Sequence, residues 1–380
     1  MAGFIRKKSN KKVIVAISGG VDSSVAAALL KQAGFAVSGA FMKCWDGKDV
    51  LGNCASAADE KVARQAARKL NIPFYVFNFT KEYRKEVFDY FVAEYMAGRT
   101  PNPDVMCNKH IKFGVFLKKA LAMGFDYIAT GHYVRKSKIP ACAPPSPKWL
   151  RRPSKASAGR QNPKYKLLRG KDKNKDQSYF LWRLGQENLR YCRFPIGDYT
   201  KPEVRKMARK FGLANAERKD SQGICFVGKI KLADFLAPYI PAKKGKIVDT
   251  KDNFLGWHQG AAVFTIGQRH GFGLAGGPYF VISKDIKKNI LVVSRNEKDL
   301  YKKEMLVENI NWISGEEPRL PLRVKAAIRY RQKPESAILS RSNATRATIV
   351  VFERPQRAVA PGQSVVFWRG AELIGGGIID

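Results

Sequence analysis

Acidic residues are scarce in this chain. Its 32 Asp+Glu against 69 Lys+Arg leave a formal net charge of +37 over 380 residues. A surface this basic attracts polyanions and repels itself without them. Nucleic acid is the leading partner, and an anionic membrane is second, with no amphipathic anchor to support it. A generally basic proteome would give the same charge without any partner, and charge does not choose between DNA and RNA. The six cysteines (Cys44, Cys54, Cys107, Cys142, Cys192, Cys225) are dispersed, with no Cys-x-x-Cys pair. That excludes a secreted disulfide framework and a zinc knuckle, so no metal site is assigned. A reducing, cytoplasmic setting is expected, with any special thiol being catalytic. No apolar run is long enough to span a bilayer, and the basic first twelve residues lack the apolar core of a secretory signal. There is no Walker A loop and no internal repeat. Gly271–Gly276 matches Gly-x-Gly-x-x-Gly, but Pro278 and a strand-like run follow where a helix should begin, so it reads as a flexible loop.

What is present is an ordered alternation. Strand-like runs at 13–17, 35–42, 74–79 and 126–130 are separated by helical stretches at 22–33, 55–70, 80–98 and 108–122. Strands alternating with helices predict a doubly wound parallel sheet, an α/β fold. Between Arg135 and Lys175 the texture changes: six prolines and fourteen Lys/Arg accompany the single acid Asp172. This reads as an exposed loop, either an inert linker or a polyphosphate-binding arm. Helical texture returns at 200–211. Past Gly245 short β-like runs take over, at 279–282, 290–294, 304–309, 322–330, 347–352 and 364–368. They predict a small antiparallel β-barrel at the C-terminus.

The most informative string is Ser18-Gly19-Gly20-Val21-Asp22-Ser23-Ser24, placed between the apolar run Val13–Ile17 and the helical run from Val25. Glycines without Cβ let the backbone approach an anion, and the amides of the following helix start favour negative charge. The serines add hydroxyl donors, and Asp22 serves either as a helix cap or as a magnesium ligand. The string resembles the pyrophosphate loop of the ATP pyrophosphatase superfamily, which implies cleavage of ATP between its α and β phosphates.

Two cysteines sit in loops of their own. Thr100-Pro101-Asn102-Pro103-Asp104-Val105-Met106-Cys107 is a proline-braced loop running into a helix start. A helix N-terminus favours thiolate, so Cys107 is expected to have a lowered pKa, with Asp104 close enough to shuttle a proton. The bland alternative is a buried structural cysteine. Asp220–Phe226 is a second cysteine loop around Cys225. An adenylating loop with two loop thiols suggests one chemistry, in which an oxygen is activated and then replaced by sulfur.

At this point the chain resembles the tRNA-specific 2-thiouridylases. The matching strings are SGGVDSS at 18–24, TPNPDVMCN at 100–108, TGHY at 130–133, KDQSYFL at 175–181 and DSQGICFVG at 220–228. They continue with FTIGQRHGFG at 264–273, RYRQ at 329–332, APGQSVVF at 360–367 and GGGII at 375–379. They cover nearly the whole chain in the family's order. The resemblance implies an adenine nucleotide alpha hydrolase-like N-terminal domain (1–215, with the basic insertion near 136–164), a small central domain (216–279) and a C-terminal barrel (280–380). It implies ATP-dependent 2-thiolation of the wobble uridine of tRNA, with magnesium accompanying ATP and a cysteine desulfurase or relay protein donating sulfur. Cys225 would carry a persulfide, Cys107 would release the sulfur and end in a disulfide with Cys225, and Asp104 would act as general acid/base. Ala16, Ile17, Ser18, Gly19, Gly20, Val21, Asp22, Ser23, Met42 and Gly131 would bind ATP. Asn102, Pro103 and Asp104 would border the base; Lys175, Asp176, Gln177, Arg329 and Tyr330 would touch tRNA.

Ala16 stands where the family has glycine, and Cys44 and Cys54 fall outside its motifs. His132 would either orient nucleotide or satisfy a buried turn. The rival readings are another pyrophosphate-loop adenylase, such as a 4-thiouridine synthetase, a tRNA lysidine synthetase or an amide-forming ligase, and a catalytically silent tRNA-binding protein. The adenylases would not need both Cys107 and Cys225, and the silent protein would not need the loops.

Overall fold

The computed structural model describes residues 10–45, 55–139, 164–219, 225, 232–342 and 347–380. Cys54, Cys142, the centre of the basic insertion and the motif around Cys225, apart from Cys225 itself, lie outside the described residues.

The N-terminal sheet is built on β1 (Lys12–Ala16), β2 (Ala36–Lys43), β3 (Phe74–Asn78) and β4 (Tyr127–Ala129), with the short strand Cys192–Arg193 at one edge. Its order is β3-β2-β1-β4 and then Cys192–Arg193, and every neighbouring pair is parallel. The run Val13-Ile14-Val15 is fully buried because both faces of β1 are covered. Alternation along the strand sorts its side chains between two cores. Val13, Val15 and Ile17 pack with the apolar face of α1 (Val21–Gln32), whereas Ile14 and Ala16 pack with Met42, Cys44 and Cys107 on the opposite side. The strand order reverses between β1 and β4. At such a switch point, the carboxyl ends of two strands diverge and leave a crevice for a ligand. The loop Ile17–Gly20 and the turn Thr130–Gly131 occupy that crevice.

Two expectations need correction. Strands Phe280–Asp285 and Ile290–Ser294 do not join the barrel; they pair with Gly245–Val248 and Phe254–His258 in a separate four-stranded sheet. Runs of this length carry no mark of their partner, which is chosen by packing against Phe264, Phe272 and Tyr279. The texture change at Arg135 also conceals order, since Val134–Lys138 and Tyr165–Arg169 form an antiparallel pair that flanks the insertion.

The barrel is closed and antiparallel. Strands Tyr301–Trp312, Thr348–Arg357, Glu335–Arg341, Leu322–Ala327, Ser364–Arg369 and Glu372–Ile379 follow one another around it, and the last pairs with the first. Closure removes the free edges that an open sheet would expose. The hairpin at 134–138 and 165–169 extends this sheet through Glu372 and Leu373.

The segment Gln177–Leu184 wedges the barrel onto the α/β domain. Trp182 and Tyr179 are buried, Trp182 Nε1 donates to Ser364 Oγ at 3.1 Å, and Tyr179 Oη donates to the Ser364 carbonyl at 2.8 Å. One apolar cluster consequently runs from Ile14 and Cys107 through Trp182 to Val366 and Leu373. No helix among the described residues is long and apolar enough to cross a membrane.

Candidate functional site: a phosphate loop and a thiol chamber

Gly19 has φ +81°, a left-handed conformation that favours glycine, and a Cβ there would lie 2.7 Å from the Asp59 carbonyl oxygen. Helix α1 begins at Val21 with Gly20 as its cap residue and no side-chain cap. This corrects the reading of Asp22 as a cap. Asp22 lies in the first turn, and its carboxylate accepts from Lys201 Nζ at 2.8 Å on both oxygens and from Tyr133 Oη at 2.7 Å. Ser23 and Ser24 donate their hydroxyl hydrogens to the Gly20 carbonyl, at 3.0 and 3.1 Å, so they shape the loop from within. Gly131 closes the crevice from β4: a Cβ there would sit 2.7 Å from the Ser23 nitrogen. Ala16 and Met42 are buried beneath the loop.

Three further residues hold the loop and escaped the sequence reading. Asn215 Nδ2 donates to the Gly19 carbonyl at 2.9 Å and to Ser24 Oγ at 3.0 Å, and Arg218 Nη1 reaches the same carbonyl at 3.2 Å while pairing with Asp59. Lys201 is the third. The proline-led helix start at 200–203 was visible, but nothing local ties it to a loop nearly two hundred residues away.

The two cysteine loops meet. Cys107 Sγ lies 3.7 Å from Cys225 Sγ, and both thiols are free. Asp104 accepts the Cys225 backbone N–H at 3.0 Å, and Tyr83 Oη donates to the Cys225 carbonyl at 2.8 Å. Asn102 caps the short helix Pro103–Met106 by accepting from the Val105 N–H at 3.3 Å, with Pro103 as the first helical residue. The helix thus starts four residues ahead of Cys107. The chain then continues as a π-helix over Cys107–Val115.

The expected lowering of the Cys107 pKa is overturned. Burial, with Cys107 at 0% exposure, pushes this thiol well up, and the neighbouring Cys225 sulfur adds to the shift. Cys225 moves the other way, to about 7, because the Cys107 thiol donates a hydrogen bond to its sulfur and Lys112 adds positive charge, together outweighing burial. Burial raises the Asp104 pKa from its ordinary value, which suits a group that carries a proton.

Lys112 was also missed. Burial alone drives an ammonium's pKa down, yet Cys225, Cys107 and Asp104 together raise that of Lys112. In an α-helix a residue five positions after Cys107 points about 140° away from it. The i→i+5 bonding of a π-helix brings the two onto one side, and such turns recur at functional sites. His132 is buried, bonded through Nδ1 to Thr130 Oγ1 at 2.8 Å, and burial holds its pKa well down. It satisfies a buried turn.

The residues expected at an RNA surface divide. Tyr330 packs on Phe180 with ring centroids 4.4 Å apart, and Arg331 lies 5.5 Å from the Tyr330 ring. Arg329 instead ties domains together: Nη2 donates to the carbonyls of Ile266 at 3.2 Å and Ala358 at 3.0 Å, beside a cavity of about 340 Å³. Asp176 is buried and accepts from Arg169, Gly170 and Ser178, while Gln177 accepts the Tyr133 N–H at 2.9 Å. Lys175 is half-buried at the start of this stretch.

A glycine loop at the switch point of a parallel sheet, with a thiol pair of which Cys107 is buried and Cys225 half-buried, defines a nucleotide-loop α/β enzyme equipped for sulfur chemistry. Three family models match in succession: a tRNA methyl transferase HUP domain over residues 11–229, a tRNA methyl transferase PRC-barrel domain over 233–295 and an aminomethyltransferase beta-barrel domain over 302–379. The tRNA-specific 2-thiouridylase MnmA of Geobacillus thermodenitrificans is 44% identical over 373 residues, covering 97% of this chain and 94% of the relative. A second such protein, from Geobacillus kaustophilus, is 45% identical over the same shares, and that of Shouchella clausii is 42% identical over 99% of this chain and 98% of its own. The chain belongs to the tRNA-specific 2-thiouridylase family.

Proposed function

We propose that the protein converts the C2 carbonyl of the wobble uridine of tRNA to a thiocarbonyl, at the expense of ATP. The observation that carries this reading is the thiol pair: Cys107 and Cys225, 118 residues apart in sequence, lie 3.7 Å apart with Asp104 bonded to the Cys225 backbone. ATP is the substrate suited to the Ser18–Ser24 loop. Attack of the uridine oxygen on the α-phosphate releases pyrophosphate and leaves an adenylated, electrophilic C2. Oxygen is a poor leaving group as carbonyl, but it departs readily as AMP.

A persulfide on Cys225 then attacks C2 through its outer sulfur. Cys107, as thiolate, attacks the inner sulfur, so that the S–S bond breaks and a Cys107–Cys225 disulfide forms. AMP leaves as the C2–sulfur bond becomes double. Asp104 takes the proton from Cys107, whose raised pKa makes a nearby base useful. An external thiol reductant must reopen the disulfide before the next cycle, and a persulfide-bearing protein of the desulfurase or relay class must reload Cys225. Magnesium needs only one or two carboxylates when phosphates supply its other ligands, and Asp22 is the carboxylate at the loop. The words methyl transferase in the family descriptions name another chemistry, and the paired thiols favour sulfur. A base leaves its stack to reach a buried site, and Tyr330 with Arg331 offers a stacking surface nearby in the barrel.

Mass spectrometry of nucleosides from unmodified tRNA, incubated with the protein, ATP and a persulfide donor, tests this reading. Wobble 2-thiouridine is expected with the natural protein and only background with Cys107→Ser or Cys225→Ser. Substantial product from either variant contradicts the relay.

A further inference from the structure

The Gly19-Gly20 pair leaves the phosphate loop with one peptide that its own sequence does not orient. We propose that Asn215 and Arg218 latch this peptide, holding the Gly19 carbonyl so that the Gly20 N–H faces the crevice and receives a phosphate oxygen of ATP. The latch deepens the ATP-binding role proposed above and rests on it. Asn215 and Arg218 act through the loop, so they are positioning residues rather than catalytic ones.

In a trans peptide the carbonyl and the N–H point in opposite directions. A flip of the Gly19–Gly20 peptide exchanges them, turning ψ of Gly19 and φ of Gly20 by about 180° each. Gly20 has φ −75°, and the flip takes it to about +105°, a region that glycine alone enters freely. With glycine on both sides of the peptide, no Cβ opposes the flip. The restraint must come from outside the loop.

Two donors from one distant segment supply it. Asn215, 5% exposed, donates from Nδ2 to the Gly19 carbonyl at 2.9 Å, and Arg218 Nη1 donates to the same oxygen at 3.2 Å. Asn215 Nδ2 also donates to Ser24 Oγ at 3.0 Å, and Ser24 passes its own hydrogen to the Gly20 carbonyl at 3.1 Å. Both glycine carbonyls are therefore taken up from within the protein. The Gly20 N–H makes one long contact among the described residues, 3.5 Å to Ser18 Oγ, which a phosphate oxygen readily displaces. The latching segment is itself fixed. Arg205, on the helix Lys201–Lys210, donates to the carbonyls of Ala216 at 2.7 Å and Arg218 at 3.0 Å, and Asp59 pairs with the Arg218 guanidinium. A cation on the carbonyl also polarises the peptide, which makes its N–H a better donor to an anion.

Calorimetric titration of the full-length protein with ATP and with inorganic pyrophosphate, without tRNA, reads the latch. Arg218→Gln and Asn215→Ala are each expected to weaken both ligands roughly 10- to 100-fold, as loss of a charge-assisted hydrogen bond does. Gly20→Ala should then restore affinity in either variant. Alanine is excluded from the flipped φ, and in the observed state its Cβ would meet Ser18 Oγ at 3.4 Å, an ordinary contact. A residue that merely holds the fold together would not be rescued in this way. Unchanged affinity in both single variants, or no rescue by a Gly20→Ala change that is harmless alone, overturns the proposal. Should Gly20→Ala weaken binding by itself, Asn215→Asp decides, since it keeps the shape but turns the donor into an acceptor. A loss of about tenfold or more then supports the latch, and unchanged affinity overturns it. Natural protein that binds neither ligand overturns the ATP reading and the latch with it, whereas failure of the latch alone leaves natural binding intact.

Discussion

The phosphate loop and the thiol chamber are built by opposite means. The loop is local: seven consecutive residues set its turn, and its serine hydroxyls bond back to Gly20. The chamber is assembled from afar, with Tyr83, Asp104, Cys107, Lys112 and Cys225 drawn from three segments. A local device keeps its shape from its own sequence. A chamber of this kind takes its proton affinities from what surrounds it, so the same cysteine is an acid or a spectator according to burial and neighbours.

Separating the two regions by mutation gives the largest expected effect. Lys201→Ala removes the cation that holds Asp22 beside the loop. It should lower both tRNA-dependent AMP formation and thiolation by roughly 10²-fold, as loss of a charge-stabilising group typically does. Cys107→Ser should instead abolish thiolation while adenylation of tRNA persists, read by pyrophosphate release in a single turnover. If both variants lose both activities in proportion, the two regions are not separate functions.

A smaller effect sharpens the role of the barrel. Gln363 Nε2 donates to the carbonyls of Thr100 and Pro101 at 2.9 and 3.0 Å, and the Thr100 N–H donates to the Pro361 carbonyl at 2.8 Å. The barrel therefore braces the loop that carries Asp104 and Cys107. Each bond is worth about 1 kcal/mol. Gln363→Ala should thus slow thiolation by up to roughly 30-fold while ATP binding, measured by calorimetry, is unchanged. A loss of ATP affinity would show that the bracing extends to the phosphate loop.

The smallest effect concerns the insertion, whose flanks meet at the Ile139 N–H to Lys164 carbonyl bond of 2.9 Å. Replacing residues 140–163 by Asn-Gly should weaken tRNA binding and flatten its salt dependence, with turnover at saturating tRNA preserved. An unchanged salt slope would mark the segment as passive.

The two regions were also unequally legible. The run Val13–Ile17, the glycines and the helix from Val21 could be placed from the string alone, because strand, turn and helix start each carry a local signal. The paired role of Cys107 and Cys225 came from ordered motifs rather than periodicity. What those motifs did not carry was the ionisation order. Cys107 looked like a thiolate at a helix start, but its helix begins at Pro103 and its sulfur is enclosed. Lys112 was hidden because a 3.6-residue period places it on the wrong side of the helix. Asp22 was read as a possible cap because its actual partners, Lys201 and Tyr133, are distant in sequence. The strands at 280–285 and 290–294 were seen but assigned to the barrel, since a short amphipathic strand does not name its neighbour.

The central claim is that sulfur reaches the base from Cys225 and that Cys107 releases it. Its most direct test is one turnover with protein carrying a ³⁵S-labelled persulfide on Cys225, given ATP and tRNA but no further donor. The account predicts one label per active protein in wobble uridine, together with a peptide cross-linked through Cys107 and Cys225. Label that stays on the protein while ATP is consumed, or that reaches tRNA without the cross-link, contradicts it.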